Sequence, residues 1–303
     1  MNRHRKIFVV LLLVAGPSLA VPSLVGTYWV IVALNLAMWI ALTQSWALFS
    51  GMTGYVSLGH VVFYGIGAYF TASTFQVLPI WASIPLAGVI AGVFACAIAI
   101  PVLRVRGPYF VILTFGVAEL VKFLALNLET EMGKSSRLLF GAPGVEQLYY
   151  AMVVLAASAT LLTYLVMASR FGRGLIAIRE DETAAETVGV PTVRFKIVAF
   201  TLAAIVPGMV GGLVALRSTY FEVLQVFSPV VSFTIVSMGV IGGSGDVRGP
   251  LLGAVFLVAL SEMLWSNAPQ LYMILLGVFL IAFVLFAPNG LVGLLGKRPG
   301  GGT

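Results

Sequence analysis

Residues 169–196 read SRFGRGLIAIREDETAAETVGVPTVRFK and hold nine of the chain's 28 Asp, Glu, Lys and Arg residues. Long apolar stretches flank this segment on both sides. A single Arg, Lys or Asp at the centre of a membrane-spanning helix costs roughly 2.5 to 3.5 kcal/mol on insertion scales. Because so many charges cannot lie together in hydrocarbon, the segment is predicted to be an aqueous loop between two groups of membrane spans.

The composition of the chain predicts a membrane protein. Of its 303 residues, 60% are hydrophobic and only 9% are charged, and the mean hydropathy is +1.07. These values exclude an ordinary soluble domain, because so few charges cannot cover the surface of a globule of this size. The net charge of +6 comes from basic residues scattered among short loops, so no nucleic-acid partner is expected.

Apolar runs long enough to cross a bilayer predict an all-α fold, a polytopic transmembrane helical bundle of about ten spans. The predicted spans are residues 7–25, 29–49, 57–77, 81–103, 109–128, 148–168, 196–216, 226–241, 250–265 and 271–287. Residues 1–303 form a single membrane domain in this interpretation. The first run follows basic residues and therefore also has the pattern of a signal peptide, but we expect it to be retained as a span.

Basic residues are distributed unevenly between the two sides of this topology. With the N-terminus inside, thirteen Lys and Arg residues lie in connections on that side and three on the other. The positive-inside rule then predicts that both termini and the 169–196 loop are cytoplasmic. No predicted loop is long enough to form a domain, so any catalytic or ligand-capturing domain would belong to another polypeptide.

A short helix is predicted inside the 169–196 loop. Thr183 and Glu186 have the spacing of a capping box, in which each side chain bonds a backbone N–H at the helix start. Gly189 and Pro191 would end the helix about two turns later. One interpretation is a solvated loop that simply carries charge, and the other is a docking helix for a cytoplasmic partner, oriented by its charges. The packing surface of such a helix would be Ile176, Ile178 and Val188.

Two glycine-rich stretches interrupt the apolar sequence, at residues 51–60 and 242–250. They predict broken or re-entrant helices, which place irregular backbone along transport pathways. Elsewhere small residues recur at every fourth position, as in Ala204, Gly208 and Gly212. This spacing lets helix backbones approach closely in lipid, and we expect most of these positions to serve helix packing alone.

Four longer stretches carry a combination of motifs in a fixed order: GYVSLGHVVFYGIGAYF at 54–70, RGPYFVILTFGVAELVKFLALN at 106–127, SRFGRGLIAIREDETAAETVGVPTVRFKIVAF at 169–200 and MGVIGGSGDVRGPLLGA at 238–254. Together they resemble the membrane permeases of the branched-chain amino acid ABC importers, the Liv type and specifically the LivM kind. One segment departs from this family: residues 139–144 read LFGAPG where Liv-type permeases usually have a Thr-Gly-Gly-rich segment. The segment is external in the predicted topology, so its divergence bears on the substrate or on binding-protein docking more than on the fold.

The resemblance implies the partners of the chain. They would be a second, LivH-like permease that forms a heterodimer with it, two cytoplasmic ABC ATPase subunits, and a soluble substrate-binding protein outside a bacterial inner membrane. No cofactor is expected in this chain, because the ATPase subunits would bind ATP and Mg. No catalytic residue is expected either.

The resemblance also implies that the 169–196 loop couples ATPase closure to the membrane helices. The residues it assigns to coupling are Arg179, Glu180, Asp181, Glu182, Thr183, Ala184, Ala185, Glu186 and Gly189. Part of this set is similar to the EAA loop found more widely in ABC importers, although Thr183 stands where that motif has Glu.

Candidate residues of a translocation pathway lie in the glycine-rich stretches and in the predicted fifth span: Ser57, Gly59, His60, Glu119, Lys122, Gly242 and Gly243. Intramembrane ionisable groups are functional candidates by default. Glu119 and Lys122, three residues apart, would serve equally well as a mutually satisfied structural pair. His60 has no neighbouring residues at metal-ligand spacing, so no metal site is expected and a hydrogen-bonded packing role is predicted.

The functional hypothesis is a permease subunit, not an enzyme, that moves branched-chain amino acids by alternating access driven by separate ATPases. One alternative is the same architecture importing urea, short amides or aromatic acids, because Liv-type permeases serve several ligands. The alternative from another class is an ATP-independent secondary transporter or channel. Such a protein needs intramembrane charges for ion coupling, and only Glu119, Lys122 and Glu262 qualify.

Overall fold

The computed structural model describes most of the chain between Gly26 and Asn267. The described residues are Pro22, 26–131, 133, 137–139, 141–218, 220–243, 245–267, 274, 277–278, 281 and 290–296. The predicted first span, apart from Pro22, and most of the predicted last span lie outside the described residues.

Helices dominate the described residues. They are α1 (Thr27–Trp46), α2 (His60–Thr74), α3 (Ile80–Val102), α4 (Pro108–Glu131), α5 (Val145–Ala168), α6 (Arg170–Glu180), α7 (Glu182–Thr187), α8 (Thr192–Arg217), α9 (Val223–Val226), α10 (Pro229–Gly242), α11 (Arg248–Asn267) and α12 (Gly290–Gly296). Two short strands, β1 (Arg137–Leu138) and β2 (Tyr220–Phe221), pair antiparallel with Arg137 opposite Phe221. The all-α prediction therefore holds apart from this two-residue ladder.

Six helical segments within the described residues are long and apolar enough to cross a membrane: Thr27–Gly51, Ile80–Val102, Pro108–Glu131, Val145–Ala168, Thr192–Arg217 and Val223–Gly242. Each coincides with one of the ten predicted spans. Helix α2, at 15 residues, covers only part of the predicted span 57–77. Its length of about 22 Å is less than the roughly 30 Å of a hydrocarbon core. The predicted span 250–265 coincides with α11, and the count of ten is not confirmed.

Both glycine-rich stretches interrupt helices, as predicted. Helix α1 widens into a π-helical turn at Ala47–Gly51, and the chain leaves the helix at Gly54, whose φ is +78°. Helix α10 ends at Gly242, and Gly243 has a φ of +95° before α11 begins. A left-handed backbone is accessible to Gly at little cost, so these residues allow the chain to leave one helix and enter the next.

Helix α8 lies at the centre of the bundle, against both α2 and α3. The carbonyl of Gly208 approaches Gly67 of α2 so closely that a Cβ on Gly67 would overlap it. On its other side, Gly208 lies against Ala91 and the Ala87 carbonyl of α3. The small residues spaced by four in α3 and α8 therefore face one another, which confirms their predicted role in helix packing.

One end of the bundle gathers most of the charged loops. Helices α6 and α7 lie there beside the turn that ends α1, as the bond from Arg179 to the Gly51 carbonyl shows. The loop between α3 and α4 is at the same end, because Arg106 contacts Glu182 of α7. We call it the loop end, and the β1–β2 ladder lies at the opposite end.

Candidate functional site

Helix α6 follows α5 in the chain and lies at the loop end. The Ser169 hydroxyl caps it by accepting a hydrogen bond from the Gly172 N–H at 3.1 Å. A Cβ on Gly172 would overlap the backbone of α5, and one on Gly174 would overlap the Phe195 ring of α8. Leu175 and Ile178 are buried on the same side. Helix α6 thus lies flat against the bundle, because two glycines permit close approach and an apolar face holds it.

Helix α7 begins at Glu182, and Asp181 caps it. The Asp181 Oδ1 accepts hydrogen bonds from the N–H groups of Thr183 at 2.8 Å and Ala184 at 3.0 Å. The predicted Thr183–Glu186 capping box is therefore wrong: Thr183 is already inside the helix, one residue beyond its start. Glu186 instead accepts a hydrogen bond from the Thr192 hydroxyl of α8 at 2.6 Å.

The end of α7 was predicted correctly. The Gly189 N–H bonds the Glu186 carbonyl and the Val190 N–H bonds the Ala185 carbonyl, both at 3.0 Å. Together with the φ of +88° at Gly189, this pattern is a Schellman motif, which satisfies carbonyls at the helix end. Pro191 follows and begins the turn into α8.

Substitution of the two candidate cap residues tests whether Asp181 or Thr183 caps α7. Asp181→Ala is expected to destabilise α7 by about 1 kcal/mol, because two N–H groups lose their acceptor. Thr183→Ala removes a side chain that plays no capping part, so its effect on α7 should be a few tenths of a kcal/mol at most. Hydrogen exchange of the 182–187 amides measures both. Equal loss of protection in the two variants would restore the capping box.

Glu182 is the centre of an ion cluster that joins four segments of the chain. Its Oε1 lies 2.6 Å from the Lys196 Nζ of α8 and 3.3 Å from the Arg106 Nη2 of the α3–α4 loop. Its Oε2 accepts a hydrogen bond of 2.6 Å from the Tyr55 hydroxyl, in the connection between α1 and α2. We call Glu182, Lys196, Tyr55 and Arg106 the Glu182 cluster.

The cluster is largely withdrawn from solvent at its centre. The Lys196 side chain is 3% exposed and that of Glu182 10% exposed, whereas Arg106 is 60% exposed at the rim. The Lys196 ammonium also bonds the Tyr55 hydroxyl at 3.3 Å and lies 4.9 Å from the centre of its ring. Tyr55 packs edge-on against Phe110 of α4. Contacts this close and this buried hold α7, α8 and the α1–α2 connection in one fixed arrangement.

The same contacts determine which group carries charge. Burial alone would raise the pKa of the Glu182 carboxyl, but hydrogen bonds from Lys196 and Tyr55, with the charges of Lys196 and Arg106, outweigh it and hold this pKa below its usual range. Burial, the hydrogen bond to Glu182 and its negative charge raise the pKa of the Tyr55 hydroxyl. At neutral pH the carboxyl is therefore ionised and the phenol is a neutral donor.

Arg179 provides a second attachment to α1. Its Nη1 donates a hydrogen bond of 2.8 Å to the Gly51 carbonyl, at the end of the π-helical turn. Gly54 follows in left-handed conformation, and a Cβ there would come within 3.2 Å of the Arg179 side chain. The close approach of these two segments therefore favours glycine at position 54 for two independent reasons.

A groove of about 890 Å³ opens at the loop end beside the Glu182 cluster. One wall is the α6–α7 junction from Ile178 to Thr183, and the others are residues 53–56 and the start of α4. Helix α7 turns Ala185 and the Glu182 side chain toward the chain, while its other residues are exposed, so the outward side of the loop remains open. Ile178 is 3% exposed and belongs to the core, so its predicted place in a docking surface is wrong, while Ile176 and Val188 are exposed as that prediction requires.

Three of the nine predicted coupling residues shape α7 itself, as its cap (Asp181), its buried residue (Ala185) and its end (Gly189), and the other six divide into two groups. Arg179, Glu182 and Glu186 bond other parts of the chain, although their charges were expected to orient an external partner. The other exposed members leave their side chains on the surface of the loop: Glu180, Thr183 and Ala184. Sequence analysis missed Tyr55 and Arg106, which lie 127 and 76 residues before Glu182 and have no local pattern that links them to it.

Of the predicted pathway residues, Ser57, Gly59 and His60 lie together before and at the start of α2, all buried. The Ser57 hydroxyl accepts from the Gly59 N–H at 3.2 Å. Neither ring nitrogen of His60 has a hydrogen-bond partner among the described residues, and the ring packs edge-on against Phe63, so the packing part of its predicted role is seen and the hydrogen bond is not. Within the part of the chain that is described, no three His, Cys, Asp or Glu side chains are placed to hold a metal ion.

Gly242 and Gly243 lie at the junction of α10 and α11, apart from the first group in the fold. A Cβ on Gly242 would overlap the Gly249 carbonyl, and Gly290 of α12 packs against the same backbone. Three segments meet here by backbone contact, which accounts for the glycines at this junction.

Glu119 and Lys122 form the third group, half-way along α4. They contact each other through Oε2 and Nζ, as their spacing predicted. Glu262 of α11, which has no partner nearby in sequence, accepts a hydrogen bond from the hydroxyl of Tyr28 at the start of α1. The seven predicted pathway residues thus lie in three places that this chain alone does not bring together.

The sequence of the chain is similar to that of known transport proteins over most of its length. Residues 23–284 match the family described as branched-chain amino acid transport system, permease component. The chain is 28% identical to the high-affinity branched-chain amino acid transport system permease protein LivM of Salmonella typhimurium, over 95% of this chain and 75% of that protein. LivM of Escherichia coli gives the same identity and coverage.

Two other relatives are more distant. The probable branched-chain amino acid transport permease protein LivH of Methanocaldococcus jannaschii is 26% identical over 67% of this chain and 63% of that protein. The fructose import permease protein FrcC of Rhizobium meliloti is 29% identical over 45% of this chain and 39% of its own length. No solved structure matches the chain. With the family matched over most of its length, the chain belongs to the permease components of branched-chain amino acid transport systems and is the permease subunit of an ABC importer.

Proposed function

We propose that this permease imports branched-chain amino acids across a bacterial inner membrane by alternating access, and that the 169–196 loop carries the motion of two cytoplasmic ATPases to the membrane helices. Both termini are cytoplasmic in this proposal. A second, LivH-like permease completes the pathway, and an external binding protein delivers the substrate. The single observation that supports the coupling role most is the Glu182 cluster, because it attaches the exposed loop to buried parts of the bundle.

The path of the motion follows from those attachments. An ATPase that moves α7 also moves Glu182, and with it Lys196 near the start of α8 and Tyr55 between α1 and α2. Arg179 transmits the same motion to the end of α1. Helix α8 is packed against α2 and α3 through glycines, so its displacement cannot be absorbed locally. Two packed arrangements of these helices would then open the pathway to opposite sides.

The partners are tested by affinity purification of this chain from its native membrane in mild detergent, with mass spectrometry of the proteins that copurify. We expect a second permease and two ATPase subunits. Ala184→Arg, on the exposed side of α7, is expected to reduce the recovered ATPase at least tenfold. The matched control is Val77→Arg, which places the same side chain at an exposed position at the opposite end of the bundle and should retain the ATPase.

Two results would contradict the proposal. Equal recovery of ATPase from the Ala184→Arg and Val77→Arg variants would remove α7 from the docking surface. Isolation of the chain without ATPases, with transport in proteoliposomes that contain no ATP, would favour a secondary transporter.

A further inference from the structure

A pair of opposite charges lies half-way along α4, the least covered of the long helices. Helix α4 has 24 residues, and 22% of its apolar stretch is buried within the chain, a smaller share than in any of the other five candidate spans. Glu119 and Lys122 are in contact on this helix. The chain therefore places an ion pair at mid-membrane on the helix that it covers least.

The two charges neutralise each other, but the rest of the chain does not enclose them. The Glu119 side chain is 28% exposed and that of Lys122 is 14% exposed. Charged groups at this depth are costly unless they face protein, water or a counter-ion, so an open charged pair indicates a surface that something else occupies. The two groups satisfy each other here and each retains an open side.

The surroundings of the pair provide space beside the carboxylate. Gly116, one turn before Glu119, is exposed, and a Cβ there would meet nothing within 4 Å. Ile112 and Phe123 lie on the same face of the helix, at 68% and 59% exposure. The face therefore carries a negative charge and an adjacent positive charge within an apolar stripe, with a gap at Gly116.

We propose that Glu119 and Lys122 recognise the zwitterionic head of an α-amino acid as it crosses the membrane. The Glu119 carboxylate receives the α-ammonium group and the Lys122 ammonium receives the α-carboxylate, while the apolar side chain lies in the gap beside Gly116. This inference rests on the proposed function. The exchange replaces one internal ion pair by two pairs with the substrate, so no charge is left without a partner in the apolar surroundings.

The same reasoning defines the class of substrate. A ligand with only an ammonium or only a carboxylate would separate the pair and leave one of the two protein charges uncompensated, which is strongly unfavourable in a low-dielectric site. A neutral amide offers no charge in exchange for opening the pair. Discrimination therefore favours substrates that carry an ammonium and a carboxylate on one carbon atom, together with an apolar side chain.

The test compares L-leucine uptake by the complete importer in proteoliposomes, at equal amounts of assembled complex. Glu119→Gln leaves Lys122 unpaired, so both a structural and a recognition role predict a loss. Glu119→Gln/Lys122→Met leaves neither charge, and a purely structural pair then predicts recovery to wild-type uptake. We expect this double variant to assemble in normal yield and to import L-leucine at least tenfold more slowly. Wild-type uptake by the double variant would overturn the inference.

A second variant keeps the test decisive if the double variant assembles poorly. Gly116→Leu fills the gap and leaves both charges unchanged, and a Cβ at this position would meet nothing within 4 Å. We expect it to slow L-leucine severalfold more than the smaller L-valine, and equal slowing of both would overturn the inference. An unmodified importer that transports no L-leucine would instead overturn the proposed substrate, and this inference with it.

Discussion

Glu182→Ala is expected to lower both the stability of the importer and its transport, more than any other substitution in the 169–196 loop. The Lys196 side chain is 3% exposed. In the variant its ammonium loses the Glu182 carboxylate and keeps, within the Glu182 cluster, the hydrogen bond to the Tyr55 hydroxyl. Removal of one partner from a buried ion pair costs about 3 to 5 kcal/mol, because the other charge stays buried. We expect a lower melting temperature of the purified complex and at least a tenfold loss of L-leucine uptake.

A double variant separates the two effects. Glu182→Gln/Lys196→Met removes both charges, which is often neutral for stability when side chains of similar volume replace a buried pair. The melting temperature should then recover. The attachment of α7 to α8 remains weakened, so the number of L-leucine molecules imported per ATP hydrolysed should stay low. Glu146→Gln is the matched control, because Glu146 is an exposed carboxylate in the first turn of α5, at the opposite end of the bundle from the Glu182 cluster.

The contrary result is equally clear. If the double variant imports as many L-leucine molecules per ATP as the wild type, the Glu182 cluster contributes only stability. Motion of α7 would then have to reach the bundle through Arg179 and the Gly51 carbonyl or through the covalent connections.

The Glu182 cluster shows what could be predicted from the sequence of this site. The charge density of residues 169–196 predicts a loop outside the hydrocarbon, because each charge would add an insertion cost there whatever its partners in the fold. The partners of Glu182 depend on the tertiary fold: Lys196 lies 14 residues away and Tyr55 lies 127 residues away. A pattern of residue types therefore identified the segment, and only the packing of three helices determines which charges face inward.

The predicted start of α7 was wrong for a different reason. Residues 181–183 are Asp, Glu and Thr, and both Asp and Thr are favourable N-cap residues. The capping-box pattern selected Thr183 because Glu186 follows at the correct spacing. In the structure the packing of α6 ends at Glu180 and Asp181 takes an extended conformation, so the earlier candidate becomes the cap. Local spacing cannot decide between two good caps when tertiary contacts fix where the preceding helix ends.

Membrane spans were predictable where an apolar run coincides with one unbroken helix, as in α3 and α5. Prediction was less successful for residues 57–77. The run is mostly apolar, but its first residues precede α2 and hydrogen-bond to side chains, as when the Leu58 N–H donates to the Thr114 hydroxyl at 3.2 Å. Hydropathy reports the environment of such a segment and does not report whether its backbone is helical.

Gly208→Val is expected to prevent assembly of the bundle, and it is the largest effect we expect from a change outside the loop end. A Cβ at position 208 would come within 2.8 Å of the Ala87 carbonyl and would also overlap the Ala91 side chain. The carbonyl of Gly208 is held from the other side by Gly67, so α8 cannot shift away from α3 without moving into α2. Overpacking costs typically about 1 to 3 kcal/mol, and contact with backbone on both sides places this variant at or above the upper limit.

Gly116→Ala is the matched control for Gly208→Val, because it adds a methyl group to a helical glycine that has open space around it. The yield of monodisperse protein in mild detergent should therefore fall severalfold for Gly208→Val and stay at the wild-type value for Gly116→Ala. A normal yield for Gly208→Val would mean that α2, α3 and α8 separate easily. Motion of α8 would then be absorbed within this chain, and the rigid transmission on which coupling through Glu182 depends would be lost.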